Sequence, residues 1–333
     1  MGRFTTVDAH CGGAAFRLLA GGAPTPRGRT MREKTAWLAR HADPLRRTLM
    51  LEPRGHRDLT GAMLTEPARP GSHAGLVFMN ADGFAPFAGH GVMAAAAIAF
   101  QRGLIVPDGD GGSILFDTAA GTVRALRDAG GPAHGRSDIA VVGVPSFVLH
   151  AGLPVQTSGR HFRADVAFGG QFYAVVDAES VGVGVSVAHL PWLRALTAEI
   201  VSAVEGAMPI VHPLDGAQKG LAGAVFTGPA GSSEAQLRAV TVLRGGSAGR
   251  GPSVSGMCAV MAVLTAMGFL SDGSPPYVQE GLSGATFTAQ ASTATAVGDV
   301  AAIVPTIRGS VWVTGDVVLY AGADDPFASG LPE

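Results

Sequence analysis

Short runs of alternating apolar and polar positions, rich in β-branched residues, predict strands over 73–80, 113–117, 122–126, 138–150, 172–177, 221–227, 237–243, 285–291 and 310–320. Ala119, Ala120 and Gly121 lie between two of these runs and mark a hairpin tip. Helical periodicity appears in two amphipathic stretches. Thr30 and Glu33 form a capping-box pattern ahead of Trp37 and Leu38, in a helix that Pro44 is expected to stop. From Leu190 onward, Leu193, Leu196, Ile200, Val201 and Val204 recur at helical spacing.

Two further stretches, 91–100 and 257–270, are almost entirely apolar. Both fall short of the ~20 residues that a membrane span needs, so they read as enclosed core helices. They also echo one another. Phe87-Ala-Gly-His-Gly91 enters the first through small residues, and Pro252-Ser-Val-Ser-Gly256 enters the second in the same way. Ala88 precedes Gly103, and Ser253 precedes Gly268, by the same interval. A duplicated domain accounts for the pair, each copy wrapping strands around a helix that has no polar face. The expected fold class is α+β: two pseudo-symmetric lobes, each a strongly curved, mostly antiparallel sheet around a central apolar helix. The lobes are placed at 1–155, with 316–333 returning to it, and at 156–315, with a ligand cleft between them.

Composition narrows the reading. Of 333 residues, 48 are glycine and 15% are charged, while 47% are hydrophobic, and the net charge is −2. This near-neutral balance carries no basic footprint for nucleic acid. Cys11 and Cys258 are the only cysteines, which makes neither a disulfide framework nor a zinc cluster. Residues 1–25 lack a basic start followed by an apolar run, so a cytoplasmic location without a signal peptide is expected. His134, His161 and His189 show no metal spacing, and no nucleotide loop, Gly-x-Ser-x-Gly elbow or His-Glu-x-x-His motif occurs. Neither metal nor cofactor is expected.

A small-residue turn into a helix exposes free N–H groups at the positive end of the helix dipole. The two matched entrances therefore point to a small carboxylate or phosphate ligand.

Several motifs in order along the chain resemble the proline racemase family, which shares the diaminopimelate-epimerase type of fold. The family's opening D-x-H-T-x-G-E-P is similar to Asp8-Ala-His-Cys-Gly-Gly-Ala-Ala15, and its E-P-R-G-H-x-D-M-Y-G-A to Glu52-Pro-Arg-Gly-His-Arg-Asp-Leu-Thr-Gly-Ala62. Pro70-Gly-Ser-His-Ala-Gly75, Val144-Pro-Ser-Phe-Val148, Phe168-Gly-Gly-Gln-Phe-Tyr-Ala174, Val297-Gly-Asp299, Ile307-Arg-Gly-Ser310 and Asp324-Asp-Pro-Phe327 continue the match. The wording of the second and third motifs most resembles the branch containing trans-3-hydroxy-L-proline dehydratases. The resemblance implies cofactor-independent chemistry at the α-carbon of an imino acid, and it is compatible with a homodimer. It also implies a cysteine base at each helix entrance of racemases and epimerases, with threonine replacing the second in dehydratases.

At those two positions this chain has Ala88 and Ser253. A methyl group takes no proton, so racemisation by two thiols is excluded. The aspartate implied to meet the substrate nitrogen falls on Gly249, and the aromatic implied to wall the pocket falls on Thr60. Candidate ligand-binding residues are Gly89, His90 and Gly91 at one entrance and Val254, Ser255 and Gly256 at the other, with Thr60, Ala88 and Gly249 as pocket wall. Candidate catalytic residues are Ser253, facing the β-substituent, His90 as an imidazole base, and Cys11 as a thiol base. Packing or ligand orientation remains the alternative role for His90 and Cys11. His10 and His56, with Asp8 and Asp58 beside them in sequence, are read as structural hydrogen-bonding pairs, and Cys258 as a packing residue. Three functions stay open: a dehydratase-like lyase, an enzyme repurposed for cyclisation, addition or elimination, and a silent carboxylate-binding protein.

Overall fold

The structure, a computed structural model, describes residues 2–107, 112–127 and 135–331. Two compact units emerge, one of Met1–Val141 with Gly309–Glu333 and one of Val142–Arg308.

The first unit contains β1 (Gly2–Cys11), β2 (Ala14–Gly21), α1 (Met31–His41), α2 (Asp43–Met50), β3 (Thr60–Thr65), β4 (Ala74–Met79), β5 (Phe84–Ala85), α3 (Gly89–Arg102), β6 (Ser113–Thr118), β7 (Gly121–Arg127) and β8 (Arg136–Val142). The second contains β9 (Ser146–Thr157), β10 (Arg160–Phe168), β11 (Phe172–Asp177), α4 (Leu190–Ala207), β12 (Val211–His212), β13 (Asp215–Lys219), β14 (Leu221–Gly228), β15 (Leu237–Leu243), α5 (Val254–Ala266), β16 (Tyr277–Glu280) and β17 (Thr286–Val297). The long β18 (Val300–Ala321) supplies its first part to the second unit and its remainder to the first.

In the first unit β1, β2, β3, β4, β6, β7, β8 and β18 follow one another around the sheet, and β18 pairs with β1 to close the ring. In the second, β9, β10, β11, β14, β15, β16, β17 and β18 do the same, closed by β18 on β9. Each ring contains two parallel pairings, β2–β3 and β4–β6 in one and β11–β14 and β15–β16 in the other. Parallel neighbours require a crossover, which is usually helical. Here α1 and α2, then α3, provide it in the first unit, and α4, then α5, in the second. The duplicated α+β plan expected from the sequence is thus present as the same order of pairings and crossovers in both units.

The second crossover helix of each unit is the apolar one. In α3 every residue from Gly91 to Ala99 is buried, and in α5 every residue from Val254 to Val263. Alanine and glycine make α3 thin enough for close approach: a Cβ on Gly91 would lie 3.0 Å from the Phe78 ring. Left-handed Gly103 (φ 62°) caps α3, and Gly268 (φ 81°) follows α5. α4 is amphipathic as predicted, burying Leu193, Leu196, Ile200, Val201 and Val204.

Three expectations change. Thr30 and Glu33 do form the capping box of α1, but Pro44 does not stop that helix; it lies in the first turn of α2, where a proline needs no donor. The run over 138–150 is two strands, β8 and β9, broken around Gly143 and Pro145. The units divide at Val141/Val142 and Arg308/Gly309 rather than near 155 and 315, because β9 is a stave of the second ring. Strands β1, β2, β3, β5, β10, β12, β13 and β16 add to the predicted set. For β10 a signal was available, since Phe162, Ala164 and Val166 alternate with Arg163 and Asp165.

Buried Arg17 on β2 holds the first unit's helical crossover in place. Its guanidinium makes a two-pronged pair with Asp8 (2.9 and 2.7 Å) and donates to the carbonyls of Leu49 and Arg54. Arg54 in turn donates to the Asp325 carboxylate and to the Tyr320 (2.7 Å) and Phe327 (2.8 Å) carbonyls, which joins the Pro-Arg-Gly-His and Asp-Asp-Pro-Phe segments. Removing one partner of such a pair strands the other charge. Arg17→Met should therefore cost about 3 kcal/mol in urea unfolding, and adding Asp8→Leu should recover part of the loss.

Candidate functional site

At the α3 entrance Ala88 is the N-cap, extended (φ −146°) and without a side-chain cap. The first intrahelical bond runs from Val92 N–H to the Ala88 carbonyl at 3.0 Å, so the amides of Gly89, His90 and Gly91 precede the helix ladder. His90 is half-buried, and its Nε2 lies 3.0 Å from Thr60 Oγ1 at the start of β3. Desolvation lowers its pKa from 6.5 to about 4. Its imidazole is therefore neutral at pH 7, yet a weaker proton acceptor than an ordinary histidine, which revises the expectation of a base tuned near neutrality. Thr60, read from sequence as pocket wall, is also the anchor of that ring.

Cys11 is fully buried, with Sγ 3.7 Å from Met93 Sδ, and burial pushes its thiol pKa far up. It packs the α3 core as a protonated thiol, contrary to its candidacy as a base. His10 Nδ1 accepts from Gly13 N–H at 3.3 Å, and its ring stacks on Trp312. Asp8 is engaged by Arg17, so it does not set the His10 tautomer. His56 is exposed.

At the α5 entrance Ser253 is the N-cap and accepts from Gly256 N–H at 3.2 Å. That engages the Gly256 amide internally and leaves the amides of Val254 and Ser255 ahead of the ladder, which starts with Met257 N–H to the Ser253 carbonyl at 2.8 Å. Ser253 Oγ is 3.4 Å from Ser255 Oγ, which is 2.9 Å from Tyr173 Oη. Gln171 Nε2 donates to that phenol at 3.3 Å. Burial raises the Tyr173 pKa to about 12. Neither Tyr173 nor Gln171 carries a sequence signal beyond its place in the Phe168-Gly-Gly-Gln-Phe-Tyr-Ala174 segment. Gly249 is half-buried in the segment leading to Ser253. Cys258 lies inside α5, buried, with its pKa raised to about 12 by desolvation despite a hydrogen bond with Ser146.

Among the described residues no group of His, Cys, Asp or Glu is placed to hold a metal, and no helix is long and apolar enough to cross a membrane. His161 and His189 are exposed, and His134 lies outside the described residues.

A family model described as proline racemase matches residues 6–332. The chain belongs to the proline racemase family. Trans-3-hydroxy-L-proline dehydratase of Bacillus cereus is 33% identical over 312 residues, covering 94% of this chain and 92% of that protein. A 4-hydroxyproline 2-epimerase of Streptosporangium roseum is 33% identical over 330 residues, covering 98% of each. The crystal structure of a probable proline racemase from Agrobacterium radiobacter K84, with bound carbonate, superposes with a TM-score of 0.89 at 27% identity, over 99% of this chain and 96% of that one. The chain thus belongs among enzymes of the lyase and isomerase kinds.

Two measurements probe this geometry. A histidine whose folded pKa lies below its unfolded value stabilises fully above pH ~6.5 and loses that contribution as pH falls toward 4. Urea unfolding of this proline racemase family protein should show a His90-dependent loss of about 2–3 kcal/mol between pH 7 and 4, absent in His90→Gln. Ellman's reagent should leave both thiols unmodified in the native protein and titrate both in denaturant.

Proposed function

We propose that the protein is a cofactor-independent lyase of the trans-3-hydroxy-L-proline dehydratase kind, acting on a small imino or amino acid or a related carboxylate. The observation that carries this reading is the Ser253 hydroxyl at the α5 N-cap, with no thiol at either helix entrance. Two-base racemisation needs a proton acceptor on each face of the α-carbon. Ala88 offers a methyl group, and Cys11 and Cys258 are buried, protonated thiols. An elimination needs one acceptor for the α-proton and one donor for the departing hydroxyl.

In this reading Ser253 serves the β-hydroxyl. The free amides of Gly89, His90 and Gly91, and those of Val254 and Ser255, are suited to carboxylate oxygens. The α-proton falls to His90, whose imidazole is uncharged at neutral pH and has its Nε2 3.0 Å from Thr60 Oγ1. The C–H electron pair forms the Cα–Cβ double bond as the C–O bond breaks onto oxygen. Protonated there, the hydroxyl leaves as water, and the enamine tautomerises to the cyclic imine.

The same lowered His90 pKa favours a second reading, a carboxylate-binding protein without turnover. Incubation with saturating trans-3-hydroxy-L-proline separates the two. The lyase reading expects the cyclic imine and one lost water by mass spectrometry, with kcat about 10²-fold lower or worse in Ser253→Ala. Thermal stabilisation by the ligand, without imine and without α-deuterium uptake in D₂O, would establish the second reading. Neither stabilisation nor turnover would overturn both.

A further inference from the structure

We propose that Tyr173 and Gln171 are positioning residues that fix the Ser253 hydroxyl as a hydrogen-bond donor, so that the α5 entrance selects a ligand bearing a lone-pair oxygen at that point. The choice of hydroxyproline as the ligand class rests on the lyase reading above; the direction of the hydrogen bonds does not.

The argument is one of satisfying every proton in a buried chain. Tyr173 is 1% exposed and Ser255 4%, so solvent does not complete their bonds. Gln171 Nε2–H already donates to Tyr173 Oη. If Ser255 also donated to that oxygen, the phenol's own proton would have no acceptor, because Ser255 Oγ is its remaining partner among the described residues. A buried orphan donor is costly. Tyr173 therefore donates to Ser255 Oγ at 2.9 Å, and the Ser255 proton passes to Ser253 Oγ at 3.4 Å. Ser253 also accepts from Gly256 N–H. Both hydroxyl lone pairs are then engaged, and only the Ser253 proton is left to offer. Bonds aligned in one direction polarise one another and strengthen the terminal donor. With its pKa near 12, the phenol keeps its proton throughout the neutral range, so the chain keeps its direction.

The local backbone is shaped for this contact. A Cβ on Gly169 would lie 2.2 Å from the Ser255 carbonyl oxygen, so only glycine lets the β10–β11 turn reach the helix entrance. Gly170 takes φ 96°, which turns the chain so that Gln171 and Tyr173 follow at the same entrance.

Neutron diffraction from deuterium-exchanged crystals tests the direction without any ligand. Deuterium on Tyr173 Oη aimed at Ser255, and on Ser255 Oγ aimed at Ser253, is the expected result; the reverse order overturns the proposal. Calorimetry with trans-3-hydroxy-L-proline and L-proline tests the consequence. The wild type should prefer the hydroxylated ligand about tenfold or more, and Tyr173→Phe, which keeps the ring, should erase about tenfold of that preference while L-proline affinity holds. A preference unchanged in Tyr173→Phe, with the fold verified by its melting temperature, would also overturn the proposal. Should the wild type bind neither compound, the lyase reading fails, and the neutron result still decides the direction.

Discussion

A helix with no polar face is stable in water only if something covers every side of it, and that requirement governs both units of this protein. Apart from His90 in the first turn of α3, the two helices α3 and α5 carry one basic residue, Arg102, at the very end of α3. Neither helix can lie on a sheet with its back to solvent. Each unit meets the requirement with a ring of strands closed by β18, and closure also removes the sheet edges that would otherwise invite pairing with another chain. Enclosure leaves one economical place for chemistry on each central helix, its N-terminal turn, where backbone donors are free by the geometry of the helix.

Much of this plan was legible in the sequence because it depends on side-chain volume and period. The uncharged runs, the small residues before them and the equal spacing from Ala88 to Gly103 and from Ser253 to Gly268 all correspond to N-caps and helix ends in the structure. Less legible were strands such as β3, whose Thr-Gly-Ala-Met-Leu-Thr has no clean alternation, because its form comes from neighbours on both sides. Pro44 shows the same limit, since a proline that could end one helix equally well begins the next. The division between the units was displaced because strand propensity runs through 138–150 without showing which ring each residue joins.

The candidate site was legible in its residues and not in their electrostatics. Sequence placed His90 at the α3 entrance, but only the packing around it reveals a depressed pKa. Cys11 occupies a family motif, yet its thiol faces Met93 in the core. Conversely, Gln171 and Tyr173 gain meaning through a contact spanning 82 residues, from Tyr173 to Ser255. The family motifs also divide by job: Arg54 and Asp325 brace the scaffold, whereas the Phe168–Ala174 segment reaches a helix entrance.

The continuous strand β18 has a consequence for how such a protein can be inherited or cut. Residues 300–308 complete one ring and 309–321 complete the other, so the second unit is a single segment, Val142–Arg308, set between the two pieces of chain that form the first. A fragment ending at residue 141 would encode a barrel missing a stave, with β1 and β8 left as open edges. The two copies are equal in plan but not in connectivity: no single stretch of chain carries the whole first unit, so a cut that separates its two pieces opens its ring, and the first copy is inherited only together with whatever joins them.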